Sequence, residues 1–290
     1  MAAVGTRFWC PLNYRTRVIN APSSQYKGSP YNVLDYNPDS TYIATNKPIC
    51  GLQFDFDASN DYASSVVVTF AAAFARNTHG YSYPLRFQIW RSNDYNSWGS
   101  AVGYLANITD AYYFPLVIED LAVSMARYWK IDLWSDNGET VECGGLMLGR
   151  YHDLDVRWNW GSPQGDGYFN HGLTNFSGRQ SIRIGNDNGV FTAERHYEYL
   201  TTTQMNAIRA AWADTRGGAY PMIITDDLPS STWSATNPNA NARNSYLARF
   251  NHPADADGKK RLGEVEVQSG LWNVTLYLSE VPWAGEGEIV

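Results

Sequence analysis

The chain has 290 residues, 44% of them hydrophobic and 14% aromatic, with 24 Gly and 13 Pro. That content supports real cores, favours β structure and excludes a disordered polymer. A net charge of -7, from 22 Lys+Arg against 29 Asp+Glu and without a long basic run, excludes nucleic-acid binding by phosphate neutralisation.

The first eighteen residues lack the continuous apolar run of a secretory leader. No window approaches the ~18 apolar residues of a membrane span. Synthesis in a cytoplasm, with no membrane span, is therefore expected. Residues 1–50 are rich in Asn, Pro, Ser and Tyr and read as short strands and ordered loops. From residue 51 the pattern sharpens. Leu52, Phe54 and Phe56 alternate with polar residues, and Val66–Phe70 is an apolar run. Leu85, Phe87 and Ile89 share one face of Leu85–Trp90, as Trp129, Ile131 and Leu133 do in Tyr128–Trp134. Leu146–Leu148 adds a short strand, and Val117–Ala126 is either a short helix or a loop. With turns at Ser92-Asn93-Asp94 and Asp136-Asn137-Gly138, the spacing predicts a sandwich of roughly eight strands, as in a jelly roll.

A boundary is expected near 150–165. There a strand-like Leu154–Trp160 precedes the flexible turn Gly161–Gly167, which divides the chain into domains 1–150 and 151–290. In the second half Thr201 and Gln204 fit a capping box, with Leu200 and Met205 as the staple. Met205, Ile208 and Trp212 form one apolar stripe of a helix Thr202–Arg216, closed by Gly217-Gly218. Strands Phe191–Tyr199 and Ala219–Thr225 flank it. The polar loop Asp226–Asn244 is longer than a compact domain usually tolerates, and is expected to be either disordered or ordered by contact with another chain, the second being favoured in an assembly subunit. After strand Ser245–Phe250 comes a hairpin, Gly263–Val281, turning at Ser269-Gly270. Val265 and Val267 before the turn, and Trp272, Val274, Leu276 and Leu278 after it, are expected on one buried face. The terminal arm must be paired within the subunit or against a neighbour. The fold class is mainly β: an N-terminal jelly-roll sandwich, then a second β-sandwich with one packed α-helix.

Catalytic patterns are weak. Five scattered histidines make no metal motif, there is no nucleophile elbow or phosphate loop, and no cofactor is expected. Cys10, Cys50 and Cys143 are too far apart for a zinc knuckle and are expected as reduced, buried thiols. Asp255-Ala256-Asp257-Gly258 reads as a charged hairpin turn, because Lys259 stands where a calcium loop needs oxygen. The carboxylate pairs Asp153/Asp155 and Glu194/Glu198 can each share a strand face, but solvated charge is the simpler reading. Glu194, Arg195, His196 and Glu198 are expected on the surface. Trp90 and Trp134 fall opposite their strands' apolar faces and are candidates for sugar or partner contact. Trp98, with Asp94 in the same loop, is the best candidate for a binding rim.

Two resemblances are carried by residues already named. Ser92, Asp94 and Trp98, then Ala126, Arg127, Tyr128, Lys130 and Ile131, then GGLMLG at 144–149, resemble discoidin (coagulation factor 5/8 C-type) modules over about residues 30–150. That resemblance implies a galactose-binding-like jelly roll and leaves the ligand open. Over about 180–283, the helix with its flanking strands, SYLARF (245–250) and LWNVTLYLSEVP (271–282) look like tailed-phage minor tail proteins, the distal tail protein family above all. This second resemblance implies a non-enzymatic structural subunit of the tail tip or baseplate, located in the virion. It implies a homo-oligomeric ring, usually hexameric, that joins tail tube, hub and fibre proteins, with the jelly roll facing outward to tail partners or a host surface glycan. Trp272, Val274, Leu276, Leu278, Met205, Ile208 and Trp212 are its structural residues. The rival expectation is a free-standing carbohydrate- or receptor-binding protein.

Overall fold

Alternating apolar residues build most of this protein, so antiparallel pairing dominates it. The computed structural model describes residues 5–12, 17–20, 25–27, 29–34, 42–44, 49–56, 66–76, 85–108, 116–119, 125–135, 141–156, 164–167, 170–174, 180–184, 190–226 and 245–281. The predicted turn at 136–138 and nearly all of the loop 226–244 lie outside these residues.

The strands of the first half are β1 (Thr6–Pro11), β2 (Arg17–Asn20), β3 (Gln25–Lys27), β4 (Ile43–Ala44), β5 (Ile49–Asp55), β6 (Val66–Val67), β7 (Phe70–Arg76), β8 (Leu85–Ser92), β9 (Gly103–Ile108), β10 (Leu116–Glu119), β11 (Met125–Ala126), β12 (Tyr128–Ser135) and β13 (Glu142–Leu154). A 3-10 turn spans Pro30–Leu34. The second half holds β14 (Gln164–Gly167), β15 (Asn170–Thr174), β16 (Gln180–Ile184), β17 (Val190–Thr201), helix α1 (Thr202–Asp214), β18 (Met222–Asp226), β19 (Ser245–Phe250), β20 (Gly263–Gln268) and β21 (Leu271–Glu280).

One sheet runs β2-β5-β12-β8-β9. A larger one runs β10-β7-β13-β1-β18-β19-β21-β17-β14, with β20 beside β21. The first core lies between the five-stranded sheet and one end of the larger sheet. Leu52, Phe54, Phe87, Ile89, Trp129, Ile131 and Leu133 face Leu146 and Leu148 there, all fully buried. The predicted inward faces of β5, β8 and β12 are those observed. The second core joins Phe8 and Cys10 of β1, Met222 and Ile224 of β18, and Val274, Leu276 and Leu278 of β21 to Met205, Ile208 and Ala211 of α1. Here a single curved sheet is covered by one helix.

Strand β1 crosses the expected division of the chain. It pairs β13 on one side, Thr6 opposite Leu154, and β18 on the other, Thr6 opposite Asp226. Leu146 and Leu148 of β13 reach the first core, while Leu154, on the same side by period, reaches the second.

Helix α1 begins as predicted. Gln204 N–H donates to Thr201 Oγ1 at 3.3 Å, and Thr201 N–H donates to Gln204 Oε1 at 2.8 Å. Its end differs from expectation. Arg216, not a glycine, takes the first left-handed position (φ 51°), and Gly217 (67°) and Gly218 (86°) follow. Gly217 N–H donates to Trp212 O and Arg216 N–H to Ala213 O, the paired bonds of a Schellman end. Gly218 passes so close to the Phe250 carbonyl that a Cβ would collide with it.

Other expectations are corrected. Val117–Ala126 contains two strands, β10 and β11, that pair β7 and β6. The short Leu146–Leu148 element is part of a 13-residue strand, which ends at Leu154 where a new strand was expected to begin. Gln164–Gly167 of the expected flexible turn is strand β14, paired to β17. Val66–Phe70 is split between β6 and β7. Arg195 is 3% exposed, because its cross-strand neighbour is the core residue Leu276.

The hairpin forms, but its first arm is turned over. The register slips between Glu266 and Gln268, so Glu264 faces Val274, Glu266 faces Trp272, and Val265 faces Asn273. One extra residue in a strand reverses every side chain beyond it. Val265 and Val267 are therefore 59% and 45% exposed. Glu264 instead pairs Arg209 of α1 at 2.9 Å, and Arg209 lies over the Trp272 ring at 4.4 Å. The terminal strand β21 is paired within the chain on both sides, to β17 on one and to β20 and β19 on the other.

Asp214, in the last helical turn, clamps α1 to β13. Arg150 donates to it at 2.5 Å and His152 Nε2 meets it at 2.8 Å. Burial alone would raise its pKa, but the hydrogen bonds from His152 and Arg150 hold it below the usual carboxylate value. A carboxylate at a helix C-terminus opposes the dipole, so these contacts keep it there. Asp214→Ala is expected to cost about 2 kcal/mol in urea unfolding, less than a fully buried pair because Arg150 is 43% exposed. A loss within error of zero would show that the clamp is not structural.

Candidate functional site

The outer face of the five-stranded sheet follows from the register. Tyr128, Lys130, Asp132 and Trp134 of β12 sit opposite Ser92, Trp90, Gln88 and Arg86 of β8. Trp90 and Trp134 are therefore on the outer face, as expected, and both are half-buried. Each lies against a cation: Lys130 Nζ is 4.4 Å from the Trp90 ring, and the Arg86 guanidinium is 5.8 Å from Trp134. Two rungs of the ladder separate the indoles, with Asp132 between them. Burial raises the Asp132 pKa, and Lys130, 3.1 Å away, opposes the rise. Gly51 lies opposite Asp132, and a Cβ there would collide with the carboxylate.

At one end of this face β8 opens into the loop that carries Asp94 and Trp98. Ser92 organises it. Its Oγ accepts from Asp94 N–H at 2.9 Å, and its single proton has two carbonyl acceptors, Asp94 and Ser97, each 2.6 Å away. Asp94 Oδ1 accepts from Asn96 N–H at 3.1 Å, an Asx turn. Asn93 Oδ1 accepts from Arg127 N–H at 3.2 Å, and Val102 N–H returns to Ile89 O at 2.8 Å. Arg127 donates to both oxygens of Asp55 at 2.9 and 3.0 Å. The loop is thus fixed at both ends and in the middle. Along it Trp98 is half-buried and Asp94 is exposed. Tyr95, 38% exposed and edge-on to Tyr128 at 5.9 Å, is a third aromatic at this end that the sequence reading missed. Serine before an Asx turn was the available signal.

The carboxylate pairs do not converge. Asp153 is held by Arg7, and Asp155 accepts from Gln204 Nε2 at 2.7 Å. Glu194 lies 3.8 Å from His196, and a bulge between Tyr197 and Leu200 interrupts the strand at Glu198. Cys10 and Cys143 are free and buried, and burial first, then Asp214, pushes the Cys10 thiol up. Among the described residues no cluster of His, Cys, Asp and Glu is placed to hold a metal ion, and no helix is long and apolar enough to cross a membrane.

The residues expected to build a ring are placed in the chain's own core: Met205, Ile208, Val274, Leu276 and Leu278 are 3% exposed or less. Trp272 and Trp212 are only partly buried at its margin. Trp212 lines a groove of about 710 Å³ with Arg216, Gly217, Gly218, Lys259 and Lys260, which the sequence reading did not foresee. These residues meet only through the fold, across more than forty positions.

His252 sits behind this groove, 2% exposed among the rings of Trp212 (5.0 Å) and Tyr277 (5.3 Å). Burial, and then the charge of Lys260, push its pKa down to about 4 from 6.5, against a hydrogen bond with the Arg261 backbone. The folded chain therefore binds fewer protons than the unfolded chain between these values. The stability this gives is complete above about pH 6.5 and is lost as pH falls towards 4. His252→Gln should flatten the fall of Tm across that window. An unchanged pH profile would assign the acid lability elsewhere.

No family model matches the chain, and no curated protein matches it. Among solved structures it is similar to the family 32 carbohydrate-binding module of NanJ from Clostridium perfringens, in complex with galactose. Identity there is 11% over 50% of this chain and 98% of that one, with a TM-score of 0.38. A fucolectin from striped bass (Morone saxatilis) serum is 11% identical over 94% of this chain and 99% of that one, TM-score 0.37. CpGH89CBM32-6 of Clostridium perfringens is 15% identical over 47% of this chain and 94% of that one, TM-score 0.34. Likeness at this level fixes neither a ligand nor a site. The tail-protein resemblance finds no support in these comparisons.

Proposed function

We propose that the protein is a carbohydrate-binding protein whose rim is the loop 93–101 at the end of β8. In this reading residues 1–150 are the binding jelly roll, residues 151–290 are its carrier, and no catalysis is involved. The observation that carries it is the Ser92-centred hydrogen-bond set, which holds Asp94 and Trp98 in place before any ligand arrives. A pre-ordered loop avoids the entropy of immobilising side chains on binding. An indole face takes the apolar face of a sugar ring, and Asp94 offers acceptor oxygens to its hydroxyls. Trp90 and Trp134 lie on the adjoining sheet face, where their cations already occupy part of each ring, and they extend the site rather than found it. Glycan-array binding followed by titration tests this. Trp98→Ala should weaken binding about tenfold or more with the far-UV circular dichroism unchanged. Unaltered affinity would remove the rim.

A second reading makes the chain a repeating subunit of a phage tail tip or baseplate, a homo-oligomeric ring in the virion with tail partners. The outer edge of β20 favours it. Among the described residues β20 pairs only β21, and its Val265 and Val267 are 59% and 45% exposed. An open strand edge with exposed valines is a template for pairing with another chain. Light scattering across a concentration series should then show a closed oligomer that Val265→Lys with Val267→Lys disperses. A strict monomer at every concentration counts against this reading and leaves the carbohydrate reading untouched.

A further inference from the structure

The groove at the end of α1 combines an aromatic wall with two exposed lysines. The turn 255–258 places both of them there. Asp255 Oδ1 accepts from Asp257 N–H at 3.0 Å and from Lys259 N–H at 2.8 Å, and its Oδ2 holds Arg261 at 2.8 Å. Asp255 is thus spent on its own turn and on Arg261, and Asp257 lies 3.9 Å from the same guanidinium. Lys259 and Lys260 are exposed, and neither has an ion pair among the described residues.

The plain explanation for cations at a helix C-terminus is that they cap its carbonyls. Here those carbonyls are already served. Ala211 O accepts from Thr215 N–H and Oγ1 at 3.0 and 2.9 Å, Trp212 O from Gly217 N–H at 2.8 Å, and Ala213 O from Arg216 N–H at 3.1 Å. The ammonium groups are left for something outside the chain. Gly217 packs against the Trp212 ring, where a Cβ would press on it at 3.1 Å. The groove, about 710 Å³, is broad and open to solvent, and it exceeds what one inorganic anion fills.

We propose that this groove is a second binding site, for an acidic saccharide whose ring packs on Trp212 and whose carboxylate is taken by Lys259 and Lys260. Carboxylate and ammonium make charge-assisted hydrogen bonds, and a partly buried indole supplies the apolar wall. A polyanion such as nucleic acid is disfavoured by the chain's net charge of -7. The site does not depend on the rim at Trp98, and the two are separable by mutation.

The test is calorimetric titration of the full chain with hexuronate trisaccharides (galacturonate, mannuronate and glucuronate types) against their neutral hexose counterparts. Inorganic phosphate and a short single-stranded DNA serve as further probes. With the rim removed by Trp98→Ala, binding of at least one uronate, absent for its neutral counterpart and weakening as salt rises, is expected. Lys259→Gln with Lys260→Gln should weaken it about tenfold or more, while Trp98→Ala leaves it unchanged. These lysines are exposed, so the double variant tests the site without unfolding the chain. Failure of every uronate, equal binding of the neutral sugars in Trp98→Ala, tighter binding of phosphate or DNA, or full affinity in the lysine variant each overturns the proposal. Uronate binding lost in Trp98→Ala and kept in the lysine variant overturns it too, by moving the acidic ligand to the rim.

Discussion

The hydrogen-bonded placement of β1 between β13 and β18 is the constraint on which the rest depends. Six residues from the start of the chain close the gap between the strand that ends the first half and a strand that follows the helix. Without β1, β13 and β18 would each expose an edge, and the second core would lose Phe8 and Cys10. Its other face is also fixed. Trp9 is fully buried, donates to Thr225 Oγ1 at 2.8 Å and meets Tyr151 edge-on at 5.4 Å, while Arg7 covers Tyr151 at 3.9 Å. One short strand therefore ties two cores into a continuous sheet.

Helix α1 packs on that continuous sheet. Its apolar stripe covers the second core, and Asp214 locks its end onto β13 through Arg150 and His152. Because the end is locked, the left-handed run from Arg216 to Gly218 leaves at a set angle and forms one wall of the groove beside Trp212. The loop after β8 is held by a comparable economy of means: one serine hydroxyl, one Asx turn at Asp94, and Asn93 accepting from the Arg127 amide between β11 and β12. In both places a surface that carries aromatic rings is held in position because backbone polar groups nearby are satisfied locally.

The helix start was legible because a capping box is a contact between residues three apart, and such contacts depend on little else. The inward faces of β5, β8 and β12 were legible for a similar reason: period two holds within a strand whatever its partner. The hairpin shows the limit. Its arms and turn were readable, but the bulge at Glu266–Gln268 reversed the first arm, and nothing in GEVEVQSG marks one extra residue in the pairing. Val117–Ala126 failed because strands of two to four residues are too short for any period to show. Arg195 was read as surface because charge predicts exposure, whereas its burial follows from the strand laid beside it.

The sequence by itself determined a mainly β chain with one capped helix, the alternating faces of its longer strands, and Trp98 and Asp94 in a turn-rich loop. Those properties are local, set by side-chain period and by hydrogen bonds over a few residues. The tertiary structure decided which strands are neighbours, that β1 belongs to both halves, which face of the hairpin is buried, and that Trp212 meets Lys259 and Lys260. Those depend on contacts between residues far apart in the chain, whose partners no local pattern specifies.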